Sequence, residues 1–89
     1  MDIIEKLPAL NHTVGTNEVV KGIKAGRIDM VVFAKNCPEF LVKKIKETKS
    51  IEMYIFNGDQ KNLGTRLGKP FPVALVGYEN KGDHKSVIY

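Results

Sequence analysis

The sequence has very little cysteine. Its 89 residues include only Cys37, which excludes an internal disulfide and a metal site built from several cysteines, and which fits a reducing compartment. No apolar run approaches the roughly 20 residues that a membrane span needs. The acidic N-terminal stretch MDIIEKLPAL also lacks the apolar core of a secretory signal. We therefore expect a cytoplasmic protein with no membrane partner.

Signatures of enzymes are also scarce. The acidic residues are scattered without an evident pair, and the glycine-containing stretch GIKAGR follows helical residues instead of a strand, so it fails the context of a phosphate-binding loop. Cys37 stands at a predicted helix start, where a thiol pKa can fall. A nucleophile also needs a base, and none is near, so a structural cysteine is the favoured alternative. We expect a non-enzymatic protein with no cofactor and no bound metal.

The positive charge is concentrated in one segment. The chain carries 14 basic and 10 acidic residues, a net charge of +4, and residues 15–49 contain eight of the basic and four of the acidic ones. This segment accounts for the whole excess. A regional basic excess indicates a polyanionic partner, although a solubilising lysine surface explains the charge equally well.

Helical and strand-like segments alternate along the chain. The length predicts one domain spanning residues 1–89. Apolar runs predict buried strands at residues 30–34, 51–56 and 73–78, with a short terminal strand at 85–89. Helices are predicted over residues 17–25, after Pro38 and after Asp59, and a short helix over residues 2–7 precedes a strand that leads into Gly15. This order predicts an α/β fold: a single-domain three-layer α/β/α sandwich with a mixed, about four-stranded sheet.

Residues typical of helix ends mark the predicted helices. Thr16 is a candidate N-cap and Gly26 a candidate stop for the first helix. Pro38 fits the first position of the second helix. Asp59 is expected to cap the third helix, whose Leu63 and Leu67 face the core, and Gly68 is expected to end it.

The helix that begins near Gly15 is the first candidate site. Free N–H groups and the positive end of the helix dipole favour phosphate there, and Asn17 offers a donor and an acceptor that suit a base edge. Glu18 would repel phosphate but could accept hydrogen bonds from base N–H groups; its alternative is a glutamate that only complements the helix dipole. Lys21 and Lys24 continue along one side, which could equally be a solvated helix face.

The proline-rich stretch LGKPFPVA is the second candidate site. Phe71 stands between Pro70 and Pro72, where an aromatic ring can belong to the core or can stack on an unpaired base. The chemistry of this stretch alone favours the core.

The two stretches together resemble a known family. GTNEVVKGIKAGRIDMVVFAKN, residues 15–36, and NLGTRLGKPFPVALVGY, residues 62–78, resemble the L-seven-Ae/L-thirty-e superfamily of archaeal and eukaryotic large-subunit ribosomal proteins. The resemblance covers nearly the whole chain with the elements in order. The GKPF loop and the ending YENKGDHKSVIY lean to the L-thirty-e branch, whereas GTNE is commoner in the L-seven-Ae branch.

The resemblance implies an α/β/α protein that binds the kink-turn of RNA, a bulged internal loop beside tandem sheared G·A pairs, with ribosomal RNA as the expected partner. By that match Gly15 and Thr16 approach the RNA backbone, and Asn17, Glu18 and Lys21 contact the sheared guanines. A second group of residues would complete the surface: Lys69, Pro70, Phe71, Pro72 and Val73 would cover a loop nucleotide, and Lys35 and Asn36 would touch phosphate.

The resemblance also implies ribosomal or other ribonucleoprotein proteins as neighbours, and a free protein that is a monomer. Three alternatives stay open: a component of a guide-RNA ribonucleoprotein, a protein-interaction module on the same fold, and a small thiol enzyme that uses Cys37.

Overall fold

A computed structural model describes residues 2–8 and 11–79 of the chain. The described residues form three helices and five strands. In chain order these are β1 (Asp2–Ile4), β2 (His12–Val14), α1 (Thr16–Lys24), β3 (Ile28–Phe33), α2 (Glu39–Thr48), β4 (Glu52–Phe56), α3 (Gln60–Arg66) and β5 (Leu75–Glu79). The predicted terminal strand at residues 85–89 lies outside the described residues.

The five strands form one mixed sheet in the order β1-β4-β3-β5-β2. Strands β1, β4 and β3 are mutually parallel, β5 runs antiparallel to β3, and β2 runs antiparallel to β5. Strands β1, β2, β3 and β4 therefore all end at the same edge of the sheet, and β5 begins there. Each helix follows one of these strands, so all three helices also begin at this edge. We call it the helix-start edge; it comprises residues 15–18, 35–38, 57–60 and the loop 69–74.

Helices cover both faces of the sheet, as predicted. On one face, α1 and α2 bury Val19, Ile23 and Ile45 in a cluster with alternate residues of β3 such as Val31. On the other face, Leu63 of α3 packs in a cluster with the remaining residues of β3 and β5, among them Met30, Val32 and Val76. Strand β3 contributes fully buried side chains to both clusters, which explains its continuous apolar run.

The predicted helix at residues 2–7 is wrong, and this error accounts for the fifth strand. Residues 2–4 form β1, which pairs in parallel with β4 in the register Ile3 to Ile55 and Ile4 to Phe56. The free side of β4 supplies hydrogen-bond partners to this short segment, and Ile4 is buried against the α3 side of the sheet. Local periodicity cannot show that a distant strand has an open edge, so the sequence indicated a helix instead.

Within the described residues, the other predicted helices and strands are confirmed with small shifts at their ends. Gly15 occupies the N-cap of α1 in place of Thr16, which is the first helical residue. Pro38 is the N-cap of α2, one position before the predicted one. Asp59 caps α3 as predicted: its carboxylate Oδ1 accepts a hydrogen bond of 2.9 Å from the backbone N–H of Asn62.

Candidate nucleic-acid interface

The start of α1 exposes backbone donors at the helix-start edge. Gly15 takes a positive φ of 96°, and its carbonyl accepts the first helical bond from the N–H of Val19 at 3.0 Å. No side chain caps this turn, so the N–H groups of Thr16, Asn17 and Glu18 have no partner within the helix. Free N–H groups at the positive end of a helix favour oxygen ligands such as phosphate.

The side chains of the first turn of α1 reach into solvent. Asn17 and Glu18 are exposed, and Thr16 is half-buried. The carboxylate Oε1 of Glu18 lies 3.9 Å from Nζ of Lys21, and both side chains are largely exposed. Such a solvated ion pair contributes only about 0–1 kcal/mol. Either side chain can therefore leave this ion pair at little cost and bind a ligand instead.

The loop that follows α3 is held tightly against that helix. Its backbone is anchored by two hydrogen bonds of 2.9 Å, from the N–H of Lys69 to the carbonyl of Gly64 and from the N–H of Val73 to the carbonyl of Gln60. A Cβ atom at Gly64 would collide with the carbonyl oxygen of Phe71, so this close approach requires glycine. The two glycines of NLGTRLGKP thus have separate roles, because Gly68 makes the turn out of α3 with a φ of 73°.

Phe71 is exposed, which contradicts the core role that chemistry alone favoured. Its side chain is 49% accessible to solvent, although the loop itself is anchored. The prolines on either side and the contact with Gly64 direct the backbone carbonyl of Phe71 inward. Its ring is left at the surface as an apolar wall.

A groove joins the two candidate sites. It has a volume of about 200 Å³ and lies between the start of α1 and the loop. We call it the first groove; its lining residues are Val14, Gly15, Thr16, Phe71, Pro72, Val73, Ala74 and Leu75. The structure therefore brings the start of the GTNEV stretch and the KPFPV stretch together, although they are far apart in the chain.

Eight predicted site residues do not line the first groove: Asn17, Glu18, Lys21, Lys24, Lys35, Asn36, Lys69 and Pro70. Lys35 is exposed at the helix-start edge. Asn36 braces that edge: its side-chain Oδ1 accepts a hydrogen bond of 2.9 Å from the N–H of Gln60, and its carbonyl accepts one of 3.2 Å from Nε2 of Gln60. Lys24 is the last residue of α1, about 10 Å along the helix axis from Asn17.

Val73 lies mainly in the core. Its side chain is only 4% exposed, and it packs in the cluster on the α3 side of the sheet. The N–H of Val73 donates to the carbonyl of Gln60, and the N–H of Gln60 donates to Oδ1 of Asn36. Val73 therefore anchors the loop and forms the floor of the first groove.

Sequence reasoning missed a second groove on the opposite side of Phe71. It has a volume of about 270 Å³ and is lined by Lys61 and Thr65 of α3 together with Lys69, Pro70, Phe71 and Pro72. The sequence indicated only its α3 wall: Lys61 and Thr65 are four residues apart, so they share one face of α3. We call this the second groove.

Both grooves are smaller than the roughly 300 Å³ at which small-molecule pockets begin, so they suit a polymer laid across the surface better than an enclosed metabolite.

The thiol alternative is not supported by the surroundings of Cys37. Partial burial raises the pKa of the Cys37 thiol, which opposes formation of the reactive thiolate. The side chain packs against the apolar cluster beneath α1 and α2.

Residues 2–8 and 11–79 contain no group of three His, Cys, Asp or Glu side chains that could hold a metal ion. None of the helices within those ranges is long and apolar enough to cross a membrane.

Comparison with known proteins decides the family. The sequence model of the Ribosomal protein L7Ae/L30e/S12e/Gadd45 family matches residues 5–88. The chain belongs to this family. The resemblance seen in the GTNEV and LGTRLGKP stretches is thereby confirmed.

Curated relatives point to one branch of the family. The large ribosomal subunit protein eL30 of Archaeoglobus fulgidus is 35% identical over 65 residues, which cover 73% of this chain and 74% of the relative. The protein of the same name from Methanoregula boonei is 35% identical over 69 residues, with 78% and 71% covered. These relatives support the L-thirty-e branch. Their names describe ribosomal proteins and not enzymes, in agreement with the expectation of a non-enzymatic protein.

Solved structures confirm the fold. The chain is similar to the Giardia lamblia 15.5kD RNA binding protein with a TM-score of 0.70 and 21% identity, covering 86% of this chain and 67% of that one. It is also similar to a protein of unknown function from Bacillus halodurans C with a TM-score of 0.68 and 19% identity, covering 85% and 78%. At these identities the likeness establishes the α/β/α architecture of the family.

Proposed function

We propose that this chain is an RNA-binding protein of the large ribosomal subunit that recognises a kink-turn. One observation carries the proposal: the uncapped start of α1 and the exposed ring of Phe71 line one groove. Backbone donors suit a phosphate, and an exposed aromatic ring suits an unpaired base. A kink-turn presents both, because a bulged strand lies beside its G·A pairs. The names of the eL30 relatives support the ribosomal setting.

In this proposal the start of α1 reads the sheared G·A pairs. Gly15 and Thr16 approach the RNA backbone. Asn17 and Lys21 donate to guanine edges, and the carboxylate of Glu18 accepts from base N–H groups. Each such contact contributes about 1–3 kcal/mol of discrimination between bases.

The loop covers the bulged nucleotide. The ring of Phe71 stacks on the base, and Pro70, Pro72 and Lys69 shape the surface around it. The loop backbone is held before RNA arrives, because the carbonyls of Gly64 and Gln60 accept hydrogen bonds from the N–H groups of Lys69 and Val73. A preformed surface of this kind avoids the cost of ordering a flexible loop on binding.

The remaining predicted residues lie outside the first groove and support binding from there. Lys35 lies at the same edge and supplies a phosphate contact. Asn36 acts mainly through the brace that it forms with Gln60. Lys24 contacts RNA where the stem continues along α1. The protein functions on the cytoplasmic ribosome, next to ribosomal proteins, and is a monomer when free.

A gel-shift assay with two RNAs tests the proposal. One RNA contains a kink-turn, and in the other Watson–Crick pairs replace the tandem G·A pairs. We expect at least about tenfold tighter binding to the first RNA, because several contacts of about 1–3 kcal/mol depend on those pairs. Phe71→Ala should weaken binding to the kink-turn.

Phe40→Ala is the matched control, because Phe40 is also an exposed phenylalanine, 69% accessible, but lies on α2. Equal affinity for the two RNAs would refute kink-turn recognition. No shift with either RNA at low salt and micromolar protein would instead favour a protein-interaction module.

A further inference from the structure

The second groove is a surface that the proposed reading of the G·A pairs does not use. Lys61 and Thr65 form its α3 wall, and Lys69 and Pro70 its loop wall. Phe71 and Pro72 line both grooves. These two residues therefore form a ridge with the first groove on one side and the second groove on the other.

The charge of the second groove is positive and uncompensated. Within the described ranges, no carboxylate lies within ion-pair distance of Lys61 or Lys69. The first turn of α3 contains no acidic residue. The acid nearest to Lys61 in the sequence is the N-cap Asp59, whose Oδ1 accepts a hydrogen bond from the N–H of Asn62. The groove thus combines two free ammonium groups with an aromatic wall.

The lysines of α2 line neither groove. Lys43, Lys44 and Lys46 stand between Glu39 and Glu47 on that helix. Mixed charge without a groove is typical of a solvated face. The second groove is therefore the stronger candidate for a further contact with a polyanion.

We propose that the second groove binds the phosphodiester backbone of the RNA strand that leaves the nucleotide covered by Phe71. Lys61 and Lys69 each contact one phosphate, and the strand crosses the ridge of Phe71 and Pro72. This inference rests on the proposed RNA-binding function. It adds a backbone contact that strengthens binding to RNA without reading its sequence, since phosphates are the same at every position.

The double substitution of Lys61→Gln with Lys69→Gln tests this contact through its salt dependence. Each phosphate contact on a single strand contributes about 0.7 to the slope of log affinity against log salt. The double variant should therefore lower the slope by about 1.4. Between 1 M and 0.1 M salt the loss of two contacts amounts to about 1.4 log units, so binding at 0.1 M salt should be roughly 25-fold weaker. The affinity ratio between the kink-turn RNA and the RNA without G·A pairs should stay unchanged.

Two controls separate a local contact from net charge and from misfolding. The double substitution Lys43→Gln with Lys44→Gln on α2 removes the same charge and should leave the slope and the affinity close to wild type. Lys61→Arg with Lys69→Arg should retain both. Thermal unfolding of each variant checks that the fold is kept.

An equal loss of affinity and slope in the α2 variant would overturn the inference, because net charge would then explain the effect. So would a wild-type slope in the Lys61→Gln and Lys69→Gln variant. The proposed function fails on a different result. It is refuted if the wild-type protein shows no preference for the kink-turn RNA, regardless of how the lysine variants bind.

Discussion

Glu18 is the residue whose role distinguishes base recognition from ordinary helix chemistry. It lies in the first turn of α1, where any acid complements the helix dipole. The same molecule offers a reference, because Glu39 is the first residue of α2 and is also exposed. Both glutamates lie in the first turn of a helix, Glu18 as its third residue and Glu39 as its first. Only the helix of Glu18 begins at the first groove, which Gly15 and Thr16 line.

Glu18→Gln should reduce the preference for kink-turn RNA by about tenfold or more, because the carboxylate contact with the guanine edges is lost. Glu39→Gln should leave that preference unchanged. Both substitutions should lower the free energy of unfolding by a similar small amount, about 0.3–1 kcal/mol, through the helix dipole. Gel shifts with the two RNAs and denaturant unfolding measure these quantities. Tighter RNA binding by Glu18→Gln would show that the carboxylate only repels phosphate.

At the scale of elements, α3 and its loop show what the sequence could and could not predict. The N-cap Asp59, the inward Leu63 and the stop at Gly68 were all predicted, because each depends on neighbours within a few residues. The exposure of Phe71 was implied by the family resemblance, whereas the chemistry of the stretch alone favoured the core. It depends on the loop folding back onto Gly64, a contact that no local pattern reveals.

The same limit applies to the first strand. Residues 2–4 looked helical because their partner, β4, lies some fifty residues away in the chain. The first groove could be anticipated only through the family resemblance. Neither the start of α1 nor the loop carries a local signal that the two meet. For the second groove, the four-residue spacing of Lys61 and Thr65 indicated only the α3 wall, because the loop wall depends on the same contact with Gly64.

Gly64→Ala tests the close contact between α3 and the loop by the sign of its effect. In an open helix position alanine is about 1 kcal/mol more favourable than glycine. Here the added Cβ would meet the backbone of Phe71, so we expect destabilisation of about 1–3 kcal/mol and weaker RNA binding. Thr65→Ala, at the next and exposed position, should change stability by no more than about 0.5 kcal/mol. Denaturant unfolding measures both, and a stabilised Gly64→Ala variant would contradict the packing described.

At the scale of the whole molecule, the sheet topology gathers the proposed interface. Four strands end at one edge, so the start of each helix and the loop before β5 lie together there. The charge distribution along the sequence was a less direct guide. The basic segment of residues 15–49 does not form one patch, because Lys43, Lys44 and Lys46 lie on α2, which runs away from the helix-start edge.

A surface already shaped before binding should act on RNA by population shift. The first groove is formed by anchored backbone, with the loop bonded to α3 through Lys69 and Val73. A free kink-turn RNA exchanges between extended and bent forms. A protein that binds the bent form better must raise its population in proportion to the difference in affinity.

The most direct test of this account is the end-to-end distance of a kink-turn RNA, followed by fluorescence energy transfer between dyes on its two stems. The measurement uses ionic conditions in which the free RNA is mainly extended. The account predicts a saturable rise in transfer as protein is added. With Glu18→Gln the rise should need higher protein concentrations than with wild type, whereas with Glu39→Gln it should occur at the wild-type concentrations. Binding that saturates in a gel shift while the transfer stays at the value of the free RNA would contradict it.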